Sequence, residues 1–88
     1  MLEAVYKHAF LKDIEKNKKR GKDIEKLIAI VQLLLEGKTL PVKNRNHKLQ
    51  GDYKGFWECH IEPDWLLVYE KKIDQIIFAR TGSHADLF

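Results

Sequence analysis

At 88 residues the chain has room for one small domain, in which roughly two thirds of the unfolded chain's surface can be buried. Hydrophobic residues make up 44% and charged residues 33%, a globular mixture that excludes a disordered chain. A single cysteine, Cys59, excludes an internal disulfide and suits the reducing cytoplasm. Lysines and acids enter the N-terminus too early for a signal peptide, and no apolar run approaches the ~20 residues that cross a bilayer.

Residues 2–6, "LEAVY", read as a short strand. From His8 to Arg20, Phe10, Leu11 and Ile14 recur at helical spacing among lysines, which predicts a short amphipathic helix. The cations of "KNKKR" suit its last turn, and Gly21 suits a left-handed C-cap. Asp23 is placed to cap a second helix, in which Ile24, Leu27, Ile28, Val31, Leu34 and Leu35 keep a helical period until Glu36 and Gly37. Pro41 marks the following "TLPVKNRN" as a loop. Two helices joined at a tight glycine turn predict a helical hairpin.

After residue 50 the apolar period shortens to that of a strand. In "YKGFWECHIE" Tyr53, Gly55, Trp57, Cys59 and Ile61 alternate with Lys54, Phe56, Glu58, His60 and Glu62, so one face is mostly apolar and the other carries His60. Pro63 and Asp64 form a turn, "WLLVYEK" a second strand and "QIIFAR" a third, together an antiparallel meander. Ser83 and Asp86 have the spacing of an approximate capping box, which puts His84 just beyond the last strand. The expected fold is a single α+β domain over residues 1–88, with an N-terminal helical hairpin packed on one face of a small twisted antiparallel β-sheet. The opposite face is expected to stay open and to carry the site.

His47, His60 and His84 all lie near strand ends in the second half, with Asp64 at the turn and Arg80 at the end of the last strand. Imidazoles exchange protons at neutral pH, a carboxylate can act as base or orient a histidine, and a guanidinium can hold a crowded phosphate. That set suits cleavage of a phosphodiester by its own 2′-hydroxyl, which needs neither metal nor cofactor. Each residue also has an ordinary explanation: His47 solvated in a loop, His60 covering a sheet edge, Asp64 a turn residue, Arg80 paired with Glu70 or Asp74, His84 part of the terminal cap. Trp65 and Phe88 could close the core, and Tyr53, Trp57 and Tyr69 are assigned to it. A zinc site built from the three histidines and Asp64 is disfavoured, because their spacing matches no compact ligand pattern.

The run "HKLQGDYKGFWECHIEPDWLLVY", followed by "ARTGSHADLF", closely resembles the YafQ branch of the RelE/ParE superfamily, the toxins of bacterial type II toxin–antitoxin pairs. The likeness covers nearly the whole chain, from the helical hairpin to the terminal R-x-G-S-H-x-x-L-F. It implies a ribosome-dependent mRNA endoribonuclease that cuts the message in the decoding site and stops translation. It also implies a cognate antitoxin that wraps the toxin and holds operon DNA through its own DNA-binding part.

By motif, the family's catalytic positions fall on His47, His60, Asp64 and His84. Arg80 and Trp65 lie next to the family's site, and Phe88 matches its closing aromatic. His84 and Asp64 are then expected to form the acid–base pair, His60 and His47 to assist proton transfer or orient the phosphate, and Arg80 to stabilise the transition state. Trp65 or Phe88 is expected to stack on a base.

The charge is uneven: residues 1–48 carry 12 Lys and Arg against 6 Asp and Glu, residues 49–88 only 4 against 7. Lys18, Lys19 and Arg20, with Lys43, Arg45 and Lys48, are accordingly expected to meet ribosomal RNA. One departure is Trp57, which stands where relatives usually carry an arginine. The competing readings are a ParE-like poison of DNA gyrase, which needs no such histidine set, and a catalytically weak RNA- or antitoxin-binding module.

Overall fold

The computed structural model describes residues 1–88. The chain runs β1 (Glu3–Tyr6), α1 (His8–Lys19), α2 (Ile24–Leu35), β2 (His47–Lys48), β3 (Phe56–Glu62), β4 (Trp65–Lys71), β5 (Gln75–Gly82) and α3 (His84–Leu87). One sheet collects all five strands in the order β1-β5-β4-β3-β2. The expected meander forms its centre, β3 and β5 each pairing antiparallel with β4. The helical hairpin covers one face, as predicted.

Two strands lie outside the expected antiparallel meander. β1 pairs parallel with β5, made possible by the long excursion through both helices between them. β2 is a two-residue strand just after the segment "TLPVKNRN" read as a loop, and it sets His47 directly opposite Glu58. No helix is long and apolar enough to cross a membrane.

The helix ends follow local chemistry. Asp23 accepts a hydrogen bond from the Glu25 amide at 3.1 Å and starts α2. Gly21, with φ of 83°, takes the left-handed turn that lets α1 give way to α2.

β4 is buried on both sides, which is why "WLLVY" is a continuous apolar run. Trp65, Leu67 and Tyr69 face the helices and join Phe10, Leu27 and Phe78 in the main core. Leu66 and Val68 face the other way and pack with Leu87 of α3, beside half-buried Leu49 and Phe56. The face expected to be open is therefore partly closed by the C-terminal turn. Tyr53, assigned from sequence to the core, is 40% exposed, because it sits on a short turn before β3 rather than on the strand.

Because β1 stops at Tyr6, the far end of β5 lacks a strand partner on that side, and α1 supplies the missing bonds. Asp13 accepts from the Thr81 amide at 3.1 Å, and Asn17, one helical turn later, donates to the Thr81 carbonyl at 3.4 Å. Both are buried polar residues whose cost is met by these backbone partners.

The C-terminal turn is held by the predicted capping box, with the Asp86 amide donating to the Ser83 hydroxyl and the Ser83 amide to Asp86. Arg20, at the end of α1, donates to both Asp86 oxygens at 2.6 and 3.0 Å. Gly82 makes room for this arrangement, since a β-carbon there would lie 2.8 Å from Asp86 Oδ2. The Arg20 guanidinium, and after it the Ser83 amide, hold the Asp86 carboxyl well below the usual carboxylate range. A carboxyl lowered in this way stabilises the fold above its unfolded value near 3.9 and loses that contribution as pH falls through its folded value. Asp86→Asn is expected to lose about 1–2 kcal/mol at neutral pH. In urea titrations over a pH series the gap from wild type should close below about pH 4.

Candidate active site

Three histidines reach the same region from three elements. His47 stands on β2 and His60 on β3, with ring centroids 6.4 Å apart; His84 opens α3, 5.9 Å from His60. Cross-strand pairing explains half of this. His47 opposes Glu58, and His60 lies two residues further on β3, so all three side chains share one face.

Backbone carbonyls set the ring orientations. His47 Nδ1 lies 2.7 Å from the Arg45 carbonyl, and His60 Nδ1 lies 3.3 Å from the Pro63 carbonyl. A carbonyl only accepts, so each Nδ1 carries hydrogen and each Nε2 is turned inward. Both Nε2 atoms face the same atom, Glu58 Oε1, at 3.5 and 3.7 Å. Glu58 is buried, at 6% exposure, and forms the floor between the two rings.

Sequence reasoning passed over Glu58, although the alternation that put His60 on this face put Glu58 there too. What the alternation cannot show is that β2 folds over the strand edge and buries the carboxylate.

His84 is oriented differently. Asp64 Oδ1 accepts from the His84 backbone amide at 2.9 Å and from His84 Nδ1 at 2.6 Å. The carboxylate therefore fixes the tautomer and leaves Nε2 on the side away from Asp64. The amide bond first, and the imidazole after it, hold the Asp64 carboxyl below its ordinary value. Asp64 and His84 are thus joined through a single carboxylate oxygen.

Arg80 is anchored to neither Glu70 nor Asp74. Its Nε donates to Asp13 Oδ2 at 2.7 Å and its Nη2 to Asp13 Oδ1 at 3.2 Å, while 41% of the side chain stays exposed. The pair keeps Arg80 charged and holds it in place beside α1.

Trp65 corrects an expectation. Its ring is fully buried on the helix side, with Nε1 donating to the Thr81 hydroxyl at 2.9 Å, so it has no face for a base. The register shift between His60 and Glu62 resets the alternation just before it. Phe88 remains available: it is 59% exposed and meets half-exposed Tyr53 edge-on at 5.2 Å.

Of the basic residues at the end of α1 expected to meet RNA, Arg20 is committed to Asp86, Lys18 is 3.8 Å from Glu15, and Lys19 is exposed with no ion pair. Cys59 takes no part. Burial, and the Glu58 charge after it, push its thiol up to about 12, too high for a nucleophile at neutral pH.

A helical hairpin on one sheet face and a histidine array with paired carboxylates on the other place the chain among the bacterial toxins of type II toxin–antitoxin systems. Within that class it belongs to the YafQ family, whose model matches residues 2–88. The mRNA interferase toxin YafQ of Escherichia coli K12 is 40% identical over 84 residues, covering 94% of this chain and 91% of that protein.

Among solved structures, the E. coli DinJ–YafQ toxin–antitoxin complex contains a chain 39% identical, with a TM-score of 0.93 and coverage of 99% and 97% of the two chains. The copper-bound L66S mutant of a toxin from Helicobacter pylori is 40% identical over the full length of both chains, with a TM-score of 0.95. The copper is a property of that protein. Here no group of three or more His, Cys, Asp or Glu side chains is arranged to hold a metal ion.

Proposed function

We propose that this chain is an mRNA interferase, an endoribonuclease that cuts messages held by the ribosome and so inhibits translation. The observation that carries the proposal is the Asp64–His84 contact at 2.6 Å, which leaves an oriented imidazole nitrogen on a ring next to that of His60, with His47 on the far side of His60. In this reading His84 exchanges the proton of the reacting oxygen and Asp64 keeps its ring in position. His60 and His47, steadied by Glu58, serve the opposite oxygen and the phosphate. Arg80 offers its remaining N–H groups to the charge that builds on the phosphoryl oxygens.

The 2′-hydroxyl attacks the adjacent phosphorus, the 5′-oxygen leaves with a proton, and a 2′,3′-cyclic phosphate results. No metal or cofactor enters these steps. Phe88, with Tyr53 against its edge, stacks on a neighbouring base. Lys18 and Lys19 contact ribosomal RNA at the end of α1. The partner that silences this toxin is a cognate antitoxin, which also carries the complex to operon DNA; E. coli YafQ forms a toxin–antitoxin complex with DinJ. The setting is the cytoplasm, where the ribosomes are.

A reconstituted translation system tests the proposal. Message should be cut when ribosomes are present and stay intact when they are omitted; intact message in both would reject it. Glu58→Gln keeps the shape of the floor and removes its charge. It is expected to slow cleavage about tenfold, about 1.4 kcal/mol of barrier, with the rate read in the same system.

A further inference from the structure

Between the C-terminal end of α2 and the sheet lies a cavity of about 470 Å³ that the cleavage chemistry does not use. Its aromatic side is half-buried Trp57, backed from the core by Tyr69, nearly parallel at 14° with centroids 6.5 Å apart. All of its charged lining residues are cations, Lys38, Arg45 and Lys71. Only Lys38 has an acidic neighbour, Glu36 at 3.6 Å. Asn46 accepts from the Tyr69 hydroxyl at 2.7 Å, which leaves its amide N–H groups to donate elsewhere.

Arg45 is the only non-glycine residue with positive φ, at 48°, a conformation that costs an arginine energy and concentrates at functional sites. Its side chain lines the cavity, while its carbonyl holds His47 Nδ1 at 2.7 Å. The cavity and the histidine array are therefore joined through one residue. Trp57 contributes the aromatic side, and Lys48 lies 5.5 Å over its ring.

We propose that this cavity is a second RNA site, seating one nucleotide of the strand that the histidine array cuts. The base lies against Trp57 and accepts from the Asn46 amide, and its phosphates rest on Arg45, Lys38 and Lys71. The volume falls within the usual range of small-ligand sites, and an indole with a donor amide beside three cations, two of them without an acidic neighbour, matches a nucleotide. An acidic peptide would use the cations alone. The inference rests on the RNA-cleaving reading above, so its test reads binding without cleavage.

The His84→Ala protein is titrated with a fluorescein-labelled single-stranded RNA dodecamer at several salt concentrations, following anisotropy and tryptophan fluorescence. Trp65 is fully buried, so the response reports Trp57. Lys38→Gln, Arg45→Asn and Lys71→Gln are then added together. Asparagine tolerates the left-handed backbone and all three side chains are exposed, so the circular dichroism melt should hold.

The combined variant is expected to bind about tenfold or more weakly, with a salt slope reduced by about 0.7 for each phosphate that the missing cations no longer neutralise. The tryptophan response should disappear with it. Unchanged RNA affinity and salt slope would overturn the proposal. So would tighter binding of an oligoglutamate peptide than of the RNA, which would give the cavity to an acidic protein segment. If the expected weakening is seen but wild-type protein cuts no message, only the cleavage reading fails.

Discussion

Replacing His84 by alanine is expected to slow message cleavage by about 10²–10⁴-fold, the usual worth of a positioned general acid or base. The fold should barely register the change. The side chain is 56% exposed, and the backbone amide that donates to Asp64 survives the substitution. Asp64→Asn should lose less activity, since the neutral amide oxygen can still accept from the His84 amide but steadies the ring less well. Single-turnover cleavage in a translating extract measures both variants, with thermal melts run alongside. If His84→Ala cut as fast as wild type, the Asp64–His84 unit would be a cap and not a catalyst.

Trp65→Ala is expected to destabilise the protein by about 3–5 kcal/mol, the range for deleting a fully buried large aromatic. A small domain has only about 5–15 kcal/mol in total, so the variant should unfold at much lower urea or fail to accumulate. The gentler Trp65→Phe loses the hydrogen bond to Thr81 and part of the volume, about 1–2 kcal/mol. It should cleave normally wherever it is folded. The opposite pattern, normal stability with cleavage abolished, would restore Trp65 to the RNA surface and contradict its burial.

The contrast between these two residues shows what the primary structure could disclose. His84 was legible because local rules place it: the Ser83–Asp86 capping box fixes where β5 ends and α3 begins. The period of α2, its Asp23 cap and the continuous "WLLVY" run were legible for the same reason. Trp65 was ambiguous because the irregularity at the β3–β4 turn shifts the register, and a period-two pattern does not carry across such a shift.

Non-local pairings were beyond reach. Arg80 looked for a partner among nearby acids, but its partner is Asp13 on α1, which also accepts from the Thr81 amide 68 residues away. The parallel pairing of β1 with β5 depends on how the helices pack, not on any pattern within "LEAVY". Glu58 needed β2 to become a buried floor, and a two-residue strand has no period to detect.

Motif spacing did what periodicity could not. The order and separation of His47, His60, Asp64 and His84 point to one site, and in the fold the His60 ring lies between those of His47 and His84. Periodicity placed the scaffold, the motifs marked side chains that the fold brings near one another, and the partners that orient each ring came only with the fold.

The most direct test of the account is the chemistry of the cut ends. A message cleaved by wild-type protein on ribosomes should yield a 5′ fragment ending in a 2′,3′-cyclic phosphate or its 3′-phosphate product, and a 2′-deoxy substitution at the cut nucleotide should block cleavage. A 3′-hydroxyl end, or cleavage that survives the 2′-deoxy substitution, would contradict it.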